Sequence, residues 1–338
     1  MTALSIGSAQ FAPGTSGRTS LGSLRYPSGF SLDIPCLVAR GSGDGPVLVV
    51  SGATHGNEIA GTAAIIRLMQ ALDPKKLRGT VIAIPVVNIP AFNQGEYSTP
   101  QDGRNMASRI YWNADAKGTV TARLGAILGP VYRMADCYID LHGNREPCAP
   151  MSMMFLSSAR DQEVRKKTIA IADAFGVTAV DMSDPVAHPD WVGPADQYSV
   201  PVALENGIPA LMVELVGAYT VLDAERGRKG VMNVMRNLGM IDGAQEKQDP
   251  AALPGRYRYW GSLSASAAGL LWPRVRPGTL LAKGDAVAEI TDLYGDVLET
   301  VVSPAKGFMW SFNGALYGAG THALPEGSDI GFFAEKVD

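Results

Sequence analysis

Short apolar runs recur along the chain, and most are continuous instead of alternating. Pro46–Ser51 (PVLVVS), Thr80–Asn88 (TVIAIPVVN), Cys137–Leu141 (CYIDL), Met151–Leu156 (MSMMFL) and Ala210–Leu215 (ALMVEL) have this form. A strand that is apolar at nearly every position is covered on both faces, so these runs predict strands of a sheet sandwiched between helices. Segments with helical spacing lie between them. Glu58–Leu72 sets Ile59, Ala63, Ile66 and Met69 on one side and stops before the breaker Asp73-Pro74. Val120–Met134 sets Val120, Leu124, Ile127 and Val131 on one side. Gln162–Phe175 stops at Gly176 and Asp223–Leu238 at Gly239, where a left-handed residue can end a helix. Strands alternating with helices predict an α/β domain with a largely parallel or mixed sheet, over residues 24–250.

The pattern differs at the two ends. Residues 1–23 are rich in Gly, Ser and Thr and read as a loose lead-in. The polar stretch GAQEKQDPAALPG reads as a linker, and residues 251–338 show short β-like runs broken by Gly and Pro. Val275–Ile290, Asp292–Gly295 and Val301–Gly307 resemble the barrel-sandwich pattern of biotinyl/lipoyl-type domains. Lys283 and Lys306 lack the flanking residues that cofactor attachment requires, so this second domain is expected to be structural or lid-like.

Composition narrows the function. The chain has 338 residues, 46% hydrophobic and 18% charged, with net charge −4. That is enough to bury a sizeable core. The absence of Lys/Arg runs argues against electrostatic binding of nucleic acid or of an anionic membrane. No apolar run reaches the ~18–20 residues of a membrane span, and MTALSIGSAQFAPG does not read as a signal peptide. Cys36, Cys137 and Cys148 form no CxxC pair, which predicts reduced thiols instead of a disulfide framework or a thiolate zinc knuckle. A cytoplasmic protein acting on a small molecule is expected, without nucleic acid or membrane; assembly into a homo-oligomer is left open.

The sharpest chemistry lies in Ser51-Gly52-Ala53-Thr54-His55-Gly56-Asn57-Glu58, after a buried-strand pattern and before a helix. The spacing of His55 and Glu58 lets an imidazole and a carboxylate converge on one ion. Catalytic zinc takes three N/O protein ligands and keeps one open position, and ligands at the carboxyl ends of strands line the crevice of an open α/β sheet. His142, in Asp140-Leu141-His142-Gly143, follows another strand and is the third ligand by placement. His188 in a loop-like stretch and His322 in the C-terminal domain read as ordinary histidines. Glu214 sits inside an apolar strand, where a carboxylate is costly unless paired or functional. Its place at a strand end favours a general base over a buried ion-pair partner. Asp140 either orients a ligand imidazole or points away.

His55-Gly-Asn-Glu58, Asp140-Leu-His142-Gly and Val213-Glu214-Leu-Val-Gly217 resemble the succinylglutamate desuccinylase/aspartoacylase family, within the zinc carboxypeptidase superfamily. Asn206-Gly207-Ile208-Pro209-Ala210 and the β-rich C-terminal domain extend the similarity over residues 40–335. The resemblance implies a zinc-carboxypeptidase-like mixed sheet flanked by helices, with a smaller C-terminal all-β domain. It implies one zinc per chain on His55, Glu58 and His142, Glu214 as the base, and a deacylase that cleaves the amide of a small N-acyl amino acid or amine.

One segment departs from the family pattern. The Asn-Arg pair that would grip a substrate carboxylate falls on Ala107 and Ser108, and Tyr97-Ser98-Thr99 stands where an upstream arginine is common. Arginine is the natural bidentate partner of a carboxylate. Arg104, Asn105 and Arg109 are therefore the candidates for binding substrate, with Tyr111, Trp112 and Asn144-Arg145-Glu146 as further pocket residues. The alternatives are a metallocarboxypeptidase for short peptides and a non-catalytic zinc-stabilised binding protein.

Overall fold

The computed structural model describes residues 3–108, 112, 114–144, 148–183, 198–216, 221–312 and 323–338. The N-terminal strands are β1 (Leu4–Ile6), β2 (Ala9–Phe11), β3 (Thr15–Arg25), β4 (Ser31–Arg40) and β5 (Gly43–Gly52). Then come α1 (Ile59–Ala71), β6 (Arg78–Ile84), α2 (Ile89–Gln94), α3 (Val120–Tyr132), β7 (Cys137–Asn144) and β8 (Met151–Met154). They are followed by α4 (Gln162–Phe175), β9 (Thr178–Asp181), α5 (Ser199–Glu205), β10 (Ala210–Val216) and α6 (Val221–Asn237). The C-terminal region holds β11 (Tyr257–Ser264), β12 (Gly269–Pro273), β13 (Leu280–Leu281) and β14 (Ala286–Thr291). It ends with β15 (Val297–Val302), β16 (Gly307–Phe312), β17 (Ala323–Leu324) and β18 (Asp329–Lys336).

The expected α/β class holds. A mixed sheet of 12 strands runs β13-β16-β18-β11-β9-β8-β10-β7-β5-β6-β4-β3. At its centre β6, β5, β7 and β10 are parallel, and β8 runs antiparallel to β10. A separate antiparallel sheet, β15-β14-β12-β17, is made wholly of C-terminal strands. The other C-terminal strands continue the large sheet through the parallel pair Tyr257↔Val180 and Arg258↔Asp181.

Two stretches differ from expectation. The supposed lead-in, residues 1–23, holds β1, β2 and most of β3, and β3 pairs with β4 along Thr15↔Arg40 to Arg25↔Ser31. Burial of Ile6, Phe11 and Leu24 anchors this polar-looking segment. The run Thr80–Asn88 ends its strand at Ile84, because Asn88 caps α2, its side chain accepting from the Ala91 N–H. The helix stops at Gly176 and Gly239 are as read, both glycines having positive φ.

The central strands bury both faces with period two. Leu48, Val50, Val81, Ala83, Ile139, Leu141, Leu211, Val213 and Leu215 join one apolar core, which α1, α4 and α6 cover. Val49, Ile82, Ile84, Tyr138, Ala210 and Met212 join the core on the other face. Asp140, His142 and Glu214 share the parity of this second set, as alternate residues of a strand must.

Candidate active site

The sheet register assembles most of the site before any side chain is considered. Glu214 lies opposite His142 in the β7–β10 ladder, and Ser51 lies opposite Asp140 in the β5–β7 ladder. Neighbouring positions in a parallel ladder point to the same face, so Glu214 is delivered beside His142, and Ser51 beside Asp140.

His55 and Glu58 reach the same point from the turn between β5 and α1. Ala53 takes the left-handed backbone there, with φ 48°, at a cost on the order of 1–2 kcal/mol for a residue with a Cβ. The turn is held against the exit of β6 by hydrogen bonds from Val87 N–H to Gly52 O (2.9 Å) and Asn88 N–H to Ala53 O (3.0 Å). Gly56 is required because a Cβ there would stand 2.2 Å from backbone atoms of Ala91 and Phe92. Close approach thus explains the glycine between His55 and Glu58.

The three predicted ligands converge. His55 Nδ1 lies 2.8 Å from Glu58 Oε1, His142 Nδ1 2.9 Å from Glu58 Oε2, and the two Nδ1 atoms 3.2 Å apart. All three side chains are buried, and one ligand atom from each lies within 4.8 Å of the others, a group that could hold a metal ion. Ligands of a tetrahedral zinc at about 2.0–2.1 Å stand about 3.3 Å apart, so the donor set fits such an ion. Gly143 N–H donates to Glu58 Oε2 at 3.2 Å.

Asp140 points inward. Its Oδ2 lies 3.0 Å from His142 Nε2, and its Oδ1 accepts from Ser51 Oγ (2.6 Å) and Thr54 Oγ1 (3.0 Å). Burial opposes charge on this group, yet His142, Ser51 and Thr54 together hold the Asp140 carboxyl below its ordinary range. Burial likewise opposes an imidazolium at His142, but Asp140 and Glu58 hold it well above the usual histidine value. Glu58 is pulled down to about 2, because His55 and His142 outweigh its burial. A proton on His142 thus competes with a metal ion for this pocket.

Glu214 is the opposite case. Burial first, then the nearby Glu58 and Asp140 carboxylates, push it up to about 8, with His142 opposing. Its Oε2 is buried and has no hydrogen-bond partner among the described residues. Two tyrosines missed by sequence reasoning complete the surroundings. Tyr97 stacks on the His55 ring with centroids 3.6 Å apart and planes 17° from parallel. The Tyr198 phenol is pushed up to about 12 by burial and by its neighbours Glu214 and Glu58. Neither lies in a motif; both come from segments joined only in space.

Of the three substrate-binding candidates, Arg104 and Asn105 lie among the described residues. Arg104 is exposed on the loop after Thr99. Asn105 Oδ1 meets His55 Nε2 at 3.0 Å. Arg109, Tyr111, Arg145, Glu146, His188 and His322 lie outside the described residues, as does the side chain of Asn144. Trp112 is buried and stacks on Tyr132, with centroids 5.1 Å apart. Ala107 is fully buried, and Ser108 forms a backbone bridge with Tyr198. Tyr294 is almost fully exposed. The three cysteines are buried and form no disulfide with one another. No helix among the described residues is long and apolar enough to cross a membrane.

Comparison with known proteins identifies the family. The model of the succinylglutamate desuccinylase/aspartoacylase catalytic domain matches residues 44–238, more than half of the chain. A relative from Halomonas elongata, named N-alpha-acetyl-L-2,4-diaminobutyric acid deacetylase, is 25% identical over 267 residues, covering 77% of this chain and 74% of its own. Among solved structures, a succinylglutamate desuccinylase/aspartoacylase from Rhodobacter sphaeroides superposes with a TM-score of 0.77 at 24% identity, covering 98% of this chain and 100% of the other. The product-bound ectoine utilization protein EutE (DoeB) from Ruegeria pomeroyi gives 0.74 at 21% identity, with 93% of both chains covered. A metallo-carboxypeptidase from Burkholderia cenocepacia gives 0.53 at 15% identity over 66% of this chain and 65% of its own. These structures share the fold. The matched catalytic domain shows more: the chain belongs to the succinylglutamate desuccinylase/aspartoacylase family, and with it to the hydrolases of carbon–nitrogen bonds other than peptide bonds.

Proposed function

We propose that the protein is a zinc-dependent deacylase that cleaves the amide of a small N-acyl amino acid or N-acyl amine in the cytoplasm. The observation that carries this reading is the placement of Glu214 beside His142 in one ladder, its Oε2 unpartnered, next to the group formed by His55, Glu58 and His142. Those three residues would hold the ion. Bound there, a divalent ion supplies Lewis-acid polarisation of the acyl carbonyl and makes water acidic enough to react near neutral pH. Glu214 accepts the proton of the attacking water as the carbon–oxygen bond forms. It returns that proton to the amide nitrogen as the carbon–nitrogen bond breaks, leaving a carboxylic acid and an amine. A buried carboxylate beside the ion, with one oxygen unpartnered, is placed for both halves of this transfer. Arg104 and Arg109 are the arginines proposed to meet a substrate carboxylate.

The relative named for an acetylated diamino acid directs the choice of substrates. Dialysis against a chelator is expected to abolish hydrolysis of N-acetyl diamino acids, N-acetyl amino acids or N-succinyl amino acids, and zinc to restore it. Turnover of dipeptides alone would replace this reading with the carboxypeptidase one. Stoichiometric zinc without turnover on any amide or ester would replace it with a binding protein.

A further inference from the structure

The loop from Thr99 to Ser108, which carries Asn105, is pinned at three points. At its start, Thr99 N–H donates to Arg104 O (3.0 Å), and Asn88 Nδ2 donates to Thr99 Oγ1 (3.1 Å). In its middle, Asp102 accepts from Thr121 N–H (2.8 Å) and Thr121 Oγ1 (2.7 Å) at the first turn of α3. At its end, Ser108 bridges to the backbone of Tyr198. Between the pins, Asn105 Oδ1 accepts from Ala107 N–H at 2.8 Å and lies 3.0 Å from His55 Nε2.

The Ala107 N–H settles which end of the Asn105 amide faces His55, because a backbone donor requires the oxygen there. An oxygen facing Nε2 in turn requires the hydrogen on Nε2. The lone pair of His55 is then on Nδ1, the atom that faces Glu58 and lies 3.2 Å from His142 Nδ1. Asp140 has the same relation to His142 Nε2. Tyr97 lies over the face of the His55 ring and so opposes its tilt.

We propose that Asn105 is a positioning residue for His55, fixing its tautomer and ring orientation so that Nδ1 is offered to the metal. This rests on the metal-site reading above and gives Asn105 a role other than substrate contact. The two imidazoles then differ in their supports, a neutral amide behind His55 and a carboxylate behind His142. Outer partners of ligating histidines typically carry about 10–100-fold in metal affinity.

Zinc affinity, measured by competition with a chromophoric chelator, tests this without reference to turnover. Asn105→Ala is expected to weaken zinc binding by about 10–100-fold. Asn105→Asp, which keeps an acceptor for both Ala107 N–H and His55 Nε2, is expected to bind zinc at least as tightly as the wild type. The visible spectrum of the cobalt-loaded protein should change in the first variant and be preserved in the second. Wild-type affinity in Asn105→Ala with a raised KM would overturn the proposal and make Asn105 a substrate contact. Failure of Asn105→Asp to rescue would also overturn it. Should Asn105→Ala not fold, nitrogen-15 histidine spectra of the zinc-loaded wild type decide: protonated Nε2 on His55 is expected, and protonated Nδ1 overturns the proposal. A wild type that binds no zinc would instead sink the reading of the whole site.

Discussion

The two faces of the central strands are built from alternate residues of the same strands, yet they do different work. On one face Ile139, Leu141, Val213 and Leu215 pack into an apolar core with α1, α4 and α6. On the other, the same strands carry Tyr138, Asp140, His142, Met212 and Glu214, apolar toward the strand starts and polar toward their carboxyl ends. The contrast teaches that stability and chemistry are separable here at the resolution of one residue. Adjacent substitutions should fail in different ways.

The largest effect is expected at Glu214. Glu214→Gln should lower kcat by about 10²–10⁴ while zinc content and thermal midpoint stay near the wild type. A fully active variant would refute the base assignment and erase the contrast between the faces. One residue from the histidine, Leu141→Ala should do the reverse. It opens a cavity in the apolar core and should cost about 2–5 kcal/mol in denaturant unfolding, with zinc stoichiometry kept in the folded fraction. Loss of zinc without loss of stability would show that the faces are not independent.

The smallest effect sharpens the electrostatic side of the comparison. In the folded, metal-stripped protein the Glu214 carboxyl is raised from 4.5 to about 8, so folding favours its protonated form. That contribution is fully present below the unfolded value, near pH 4.5, and is lost as pH rises through about 8. The stability of metal-stripped wild type, measured against Glu214→Gln, should therefore decline across this window. The slope should be shallow, because a single proton sets it. A difference that grows with pH would reverse the sign and remove the buried-carboxylate account.

Much of this was legible in the sequence for a physical reason. Strands buried on both faces must be apolar throughout, so Glu214 stood out within ALMVEL and His142 by its place just after CYIDL, whereas the direction of Asp140 stayed open. The same logic failed where burial is sparse. Thr15–Arg25 is mostly polar, and its strand exists because β4 pairs with it, a partner that local pattern does not announce. Tyr97 and Asn105 were equally hidden as neighbours of His55. They reach it from a separate loop whose path is set by Thr99, Asp102 and Ser108, and no periodicity records such pins. Ser51 opened the motif without a role of its own; its bond to Asp140 follows from ladder register, which one strand alone does not specify.

The pairing of Glu214 with His142 carries a consequence for how this chain can change. A single-residue insertion or deletion within β10 would turn Glu214 into the greasy side and bring Val213 or Leu215 to the histidine. Length variation should therefore be barred from the strand and confined to its flanking turns, whereas paired insertions of two would preserve orientation and only displace the acid along the ladder.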